Sequence, residues 1–268
     1  MPTRSTLTKE EISERIHVLW DELAEFEVAH HDQALEHLLK GLCELVGAQN
    51  ANWFGAVRLP DIAPGDPIHG WRPRFLRFLY PAKPLDTAVK RQIERLEQTE
   101  PSIDITTIRN ISFTGRLRAN RLADLVPPEW FDSDYYRDFY LGVDHSDAIW
   151  AGCPVNVDAE VYFGIFRSSA HPPFTADECD TVREALRGLK WFHRQFLLSH
   201  GLLVASAPLT PVEREVLKGL LAGLTEKEIA ASQNRGLHTT HEYVKMLYRK
   251  FSVKNRASLM ALWLGKLA

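Results

Sequence analysis

The stretch LTPVEREVLKGLLAGLTEKEIA, Leu209–Ala230, carries two helix starts in close succession. In Thr210-Pro211-Val212-Glu213 the threonine is an N-cap, the proline suits the first turn, and the glutamate reaches back to the cap. Val216, Leu217, Leu220 and Leu221 follow at helical spacing, and Gly223 is a stop signal. Thr225-Glu226-Lys227-Glu228 repeats the capping box and opens a short helix with Ile229 and Ala230. Working outward, the turn Gln233–Gly236 leads into a third helix to about Phe251, with Val244, Leu247, Tyr248 and Phe251 on one face. Asn255 then caps a fourth helix holding Leu259, Leu262 and Trp263. Four short helices with a tight turn between the second and third predict a helix-turn-helix.

The chain of 268 residues is too long for that module alone, so a further domain precedes it. Apolar residues make up 45% and charged residues 25%, an ordinary globular balance that excludes a disordered or collagen-like chain. The net charge of −3 hides an asymmetry. From Pro208 onward ten Lys/Arg face five acids, leaving +5, and the residues before carry −8. A basic end on an acidic body points to a polyanion-binding module attached to something else.

At this point the residues resemble a known family. Leu209–Ala230, Thr239 ten residues after Ile229, and LYRKFSVKNRASL (Leu247–Leu259) look like the LuxR-type (NarL/FixJ-like) DNA-binding domain of bacterial regulators. That resemblance implies a transcriptional regulator contacting double-stranded DNA through its third helix. His241, Glu242 and Lys245 would face base edges, Lys245 donating to guanine and Glu242 accepting from cytosine. Lys227, Thr239, Thr240, Arg249 and Lys250 would meet phosphates. The bland reading makes Glu242–Lys245 an i,i+3 pair on a solvated face. Glu213 and Arg256 are placed as a structural ion pair. Gln233 and Arg235 stand where the family has apolar residues, Gly236 where it has Ser or Thr, and Tyr243 where it has His. Leu237 is placed to fill the apolar slot that Arg235 leaves.

The first 200 residues predict helices over 8–29 and 32–47, the second with an apolar stripe of Leu35, Leu38, Leu39, Leu42, Leu45 and Val46. Strand character follows at 51–59 and 71–80, a helix at 84–98, a short helix at 132–141, and strands at 148–157 and 160–168 joined at Asp158-Ala159. Residues 100–131 carry no clear periodicity. Thr175 and Glu178 cap a helix running from Ala176 to about Ser199, with Phe174 and Cys179 as a hydrophobic staple. Its seam is Val182, Leu186, Leu189, His193 and Phe196. The fold class is therefore an α+β N-terminal domain, an antiparallel sheet faced by helices, plus an all-α four-helix C-terminal domain. The boundary is set at 199–208, giving domains 1–200 and 205–268.

The order of elements in 1–200 resembles GAF/PAS-type sensors, which implies a ligand-sensing or dimerisation domain in a homodimer. Trp53, Phe78, Trp130, Tyr135, Tyr136, Tyr140 and Trp150, with Asp144 as a polar anchor, are the expected ligand-binding residues. PPEWFDSDYYRDFYLGVDH, Pro127–His145, is similar to the Trp…Tyr…Asp-Pro segment of acyl-homoserine-lactone receptors. It departs by about one residue in the Tyr and Asp spacings and has His145 for the proline. No phosphate-binding glycine loop, HExxH, CxxC or GxSxG turn occurs, so no enzyme, cofactor or metal is expected. His30, His31 and His37 are taken as surface residues. The three cysteines are scattered, which fits buried, reduced thiols. Without a signal peptide or a membrane-length apolar run, the chain is expected to be cytoplasmic. A protein-interaction adaptor with a degenerate helix-turn-helix is the alternative from another class.

Overall fold

The structure is a computed structural model that describes residues 8–59, 64–81, 103–203 and 207–265. The expected helix over 84–98 lies outside the described residues. Packing divides the chain into two compact units: Met1–Glu22 with Glu36–Lys190, and Leu23–Leu35 with Trp191–Ala268.

The first unit is built on a five-stranded antiparallel sheet in the order β2-β1-β5-β4-β3. Its strands are β1 (Asn50–Arg58), β2 (Trp71–Phe78), β3 (Arg118–Arg121), β4 (Asp147–Asn156) and β5 (Ala159–Arg167). β5 is central and buried along its whole length, which is why it reads as an almost continuous apolar run. The β4–β5 turn falls on Val157-Asp158, one residue earlier than expected, where Asn156 Oδ1 accepts the Asp158 N–H at 2.9 Å.

Helices α1 (Lys9–Ala24) and α2 (His31–Val46) begin the chain. Of the expected α2 stripe, Leu35, Leu38, Leu39, Leu42 and Val46 are buried in the core and Leu45 is half-buried. Residues 103–125, opaque to periodicity, form α3 (Ile105–Ile111), the short β3 and a one-turn α4 (Leu122–Leu125). α5 (Asp134–Phe139) starts at Ser133, whose side chain accepts the Tyr136 N–H.

The long helix expected from Ala176 is broken into α6 (Ala176–Arg187) and α7 (Lys190–Ser199). Thr175 and Glu178 form the capping box as predicted. The break has a physical cause within the first unit. The Trp20 indole N–H donates to Ala185 O at 2.7 Å, taking an acceptor that an unbroken helix would use itself. Trp20 also lies where a Cβ on Gly188 would come within 3.0 Å, so the glycine admits the ring. The seam nevertheless stays inside: Val182, Leu186, Leu189, His193 and Phe196 are each at most 1% exposed.

The second unit carries α8 (Pro211–Leu221), α9 (Glu226–Ser232), α10 (Leu237–Lys250) and α11 (Arg256–Trp263). Both predicted capping boxes are present, and Asn255 caps α11. Val216, Leu217, Leu220, Ile229, Val244, Leu247, Phe251, Leu259, Leu262 and Trp263 form one core. A Cβ on Gly219 would meet Ile229 at 2.6 Å, so glycine there lets α8 and α9 close up. Val28, from the N-terminal segment of this unit, also packs on the core. Among the described residues no helix is long and apolar enough to cross a membrane.

Candidate functional site

The α9–α10 turn is short because Asn234 takes a left-handed conformation, φ 50°, which asparagine tolerates better than most residues. The Arg235 N–H then closes on Ala230 O at 2.9 Å. Two departures from the family pattern meet here: the Arg235 guanidinium lies 5.6 Å from the centroid of the Tyr243 ring, a cation–π pair. Leu237 does not fill the slot that Arg235 leaves; it is 53% exposed at the start of α10. Arg235 covers its own position by stacking.

α10 has two faces. Thr240, Val244, Leu247 and Phe251 point into the core. The opposite stripe presents His238, His241, Glu242, Lys245 and Arg249, all at the surface or partly so. Glu242 and Lys245 are paired at 3.0 Å, and His241 Nδ1 is 2.9 Å from Glu226 Oε2 on α9. The three expected base readers thus lie on one accessible face, Glu242 and Lys245 engaged with each other and His241 with Glu226. Lys227, Thr239 and Arg249 are exposed.

Two expected phosphate contacts need correction. Thr240 is fully buried, and its hydroxyl donates to Gly236 O at 3.2 Å, closing the first turn of α10. Lys250 is held by Glu213 Oε2 at 2.7 Å and by Pro208 O at 3.1 Å. The ion pair expected between Glu213 and Arg256 is therefore made with Lys250 instead. Arg256 donates to the carbonyls of Leu224 and Leu220, tying off the end of α8. His238 and Lys254 are exposed cationic or titratable groups that the motif alone did not single out.

In the first unit a cavity of about 500 Å³ lies against the sheet. Phe54 and Ala56 of β1, Trp150 of β4, and Tyr162 and Phe166 of β5 line one side. α3 and α5 supply Thr106, Asn110, Ile111, Tyr135, Phe139 and Tyr140 on the other. The Phe54 and Tyr162 rings stack at 4.8 Å. Gly164 makes this wall workable, since a Cβ there would fall within 3.0 Å of Phe166, Asn52 and Trp150.

Of the expected ligand residues, Phe78, Tyr135, Tyr140 and Trp150 line this cavity. Trp53 does not. It alternates with Asn52 and Phe54 along β1, so it faces the other side of the sheet, fully buried. Trp130 is core: its indole N–H donates to Asp104 Oδ2 at 2.8 Å. Tyr136 donates to Ser146 O at 2.7 Å, away from the lining. Asp144 is an exposed residue with φ 54°, which excludes it as a pocket anchor. Polar groups at the cavity include Asn110, Thr106, Arg72 and His145. Asn110 Oδ1 is buried with no hydrogen-bond partner among the described residues. Burial holds His145 down at about 4, so the ring is neutral, stacked on Phe166 at 4.1 Å.

These helices define a helix-turn-helix domain. Residues 207–263 match the family model described as bacterial regulatory proteins, luxR family. That C-terminal domain belongs to the luxR family. A curated relative, the probable HTH-type transcriptional regulator GfsR of Streptomyces halstedii, is 35% identical over 60 residues, 22% of this chain and 25% of that protein. The chain thus spans about a quarter of that relative. Among solved structures, SdiA in complex with octanoyl-rac-glycerol aligns over 96% of both chains with a TM-score of 0.51 and 14% identity. That likeness is one of fold. The VqsR LBD domain from Pseudomonas aeruginosa aligns over 69% of this chain and 96% of its own, with a TM-score of 0.42 and 16% identity.

Proposed function

We propose that the chain is a DNA-binding transcriptional regulator, acting as a homodimer, with residues 205–268 as DNA reader and 1–200 as a sensor of a small ligand. The accessible stripe of α10, in a luxR-family domain, is the observation that carries the reading. A helix of this kind fits the major groove, and His241, Glu242 and Lys245 are the base-facing side chains. On DNA, Lys245 exchanges Glu242 for a base edge, and Arg249, Lys227 and Thr239 meet the backbone. Two half-sites read by a dimer supply the specificity one short helix lacks.

Full-length protein titrated onto duplex DNA at several salt concentrations tests this. Affinity falls steeply with salt, Arg249→Ala lowers the slope by about 1, and Lys245→Ala costs about 1–3 kcal/mol at the preferred sequence. Absence of salt-sensitive binding at low ionic strength sinks the reading and favours the adaptor.

The cavity against the sheet favours a sensor over a domain that only dimerises. Its aromatic walls and few polar groups suit an amphiphile with an apolar body, the class to which the octanoylglycerol bound to SdiA belongs. Octanoyl-rac-glycerol is the probe: it raises the thermal midpoint of the chain, and Ala56→Trp, which fills the cavity, removes that rise. A response unchanged in Ala56→Trp locates the binding elsewhere.

A further inference from the structure

His31 was expected at the surface; its side chain is only 7% exposed. It starts α2, inside the second unit, beside Asp32 and facing His200 at the end of α7. One ring nitrogen of each histidine and a carboxylate oxygen of Asp32 all lie within 4.8 Å of one another. His31 Nε2 is buried with no hydrogen-bond partner among the described residues and stands 3.8 Å from Asp32 Oδ1. A buried nitrogen aimed at a carboxylate and a second imidazole lacks the partner its burial demands.

We propose that His31, Asp32 and His200 form a binding site for a divalent transition-metal ion of the zinc class. The groups around the cluster are arranged as a metal site requires. Each ligand already has an outer partner fixing its orientation. His31 Nδ1 is 3.2 Å from Val28 O, and His200 Nδ1 is 3.0 Å from Phe196 O. A proton on His31 Nδ1 leaves its Nε2 lone pair for an ion. Asp32 Oδ2 accepts from Lys218 Nζ at 2.8 Å, so Lys218 steers the carboxylate and Oδ1 is left to bind.

The donor set selects the ion. Two imidazoles and one carboxylate suit zinc or its neighbours, with a fourth position for water. Calcium and magnesium want several oxygens, and only one carboxylate is here. Lys218 and Arg214 add positive charge nearby, which disfavours ions held by charge alone. Ligand atoms around a tetrahedral ion with bonds of about 2.0–2.1 Å sit about 3.4 Å apart, so small rotations close the site. An ion here clamps residues 28–32 to the end of α7 and, through Lys218, to α8 of the DNA-binding domain.

The test titrates chelator-treated full-length protein with Zn²⁺ by calorimetry and with Co²⁺ by visible absorption. One equivalent binds, Co²⁺ shows the bands of a four-coordinate N/O site, and His31→Gln and His200→Ala each weaken binding by at least about tenfold. Asp32→Asn, at a half-exposed position that folding tolerates, weakens binding and alters the Co²⁺ bands. Exposed His30→Ala and His37→Ala leave both unchanged. Absence of stoichiometric binding overturns the proposal, as does binding that survives His31→Gln or Asp32→Asn but falls with His30→Ala or His37→Ala. DNA affinity of the metal-free chain is read separately, so failure of the site leaves the regulator reading intact.

Discussion

The two units solve opposite problems with the same apolar material. The sheet unit keeps a cavity of about 500 Å³ open and braces it with charges placed inside. Arg118 pairs with the fully buried Glu160 at 2.9 Å and lies over the Tyr162 ring of the cavity wall. Gly152 is bare because a Cβ there would stand 2.5 Å from that guanidinium. Arg167 similarly joins Glu178, Pro172 O and the Phe174 ring, locking β5 to the start of α6. The helix-turn-helix packs an apolar core, ties the buried Glu213 to Lys250, and carries the charged outer stripe of α10 at the surface. A region that encloses needs a rigid frame, and buried ion pairs supply directional struts at a desolvation cost. A region that presents needs only a narrow core and well-ended helices.

Breaking a strut is the severest test of this contrast. Glu160→Ala leaves Arg118 buried and unpaired and costs about 3–5 kcal/mol in urea unfolding. The lost hydrogen-exchange protection maps to β3–β5; equal loss in α8–α10 breaks the contrast. Acid comes next, and it strikes the other unit harder. His193 and His200 are pushed down to about 3 by burial, with His31 also lowered, whereas the sheet unit has His145 at about 4. Folded values below the unfolded one of about 6.5 mean stability is complete above pH 6.5 and lost as pH falls toward 4. His193, His200 and His145 each cost about 2 kcal/mol by pH 5, His31 adds in the same direction, and Asp147, raised by burial, offsets part of the loss in the sheet unit. Exchange protection at pH 5 and 7.5 reads the two units separately.

Thr225→Ala removes the α9 capping box and costs about 1 kcal/mol, confined to the helical unit. Smallest is Gly236→Ser. Position 236 caps α10 with no side-chain hydrogen bond, and a Cβ there meets nothing closer than 3.8 Å. Serine adds the missing cap and raises the thermal midpoint by the equivalent of a few tenths of a kcal/mol. A fall instead means that α10 needs a loose start.

Legibility differed between the units for a physical reason. Helix ends are written locally: Thr210, Thr225 and Asn255 cap the helices they were expected to cap, because donor and acceptor lie within three residues. The cavity is written non-locally. Asn110 and Thr106 come from a segment without periodicity, and nothing nearby in the chain says that they face β1 and β5. Aromatic content pointed to a pocket, but strand alternation decided that Phe54 lines it and Trp53 does not. An odd-even choice of this kind depends on which face the helices cover.

The sequence by itself determined the helix-turn-helix, its caps and its core stripe, and the β4–β5 hairpin, since these rest on contacts between near neighbours, whereas β3 and the pairing of β1 with β5 join distant segments. Only the tertiary structure decided where the long helix breaks, because the indole that takes Ala185 O belongs to Trp20 at the other end of the domain. It alone moved Thr240 and Lys250 out of the DNA-facing set and brought His31 and His200 together. Such long-range meetings are set by packing, and no local pattern encodes them.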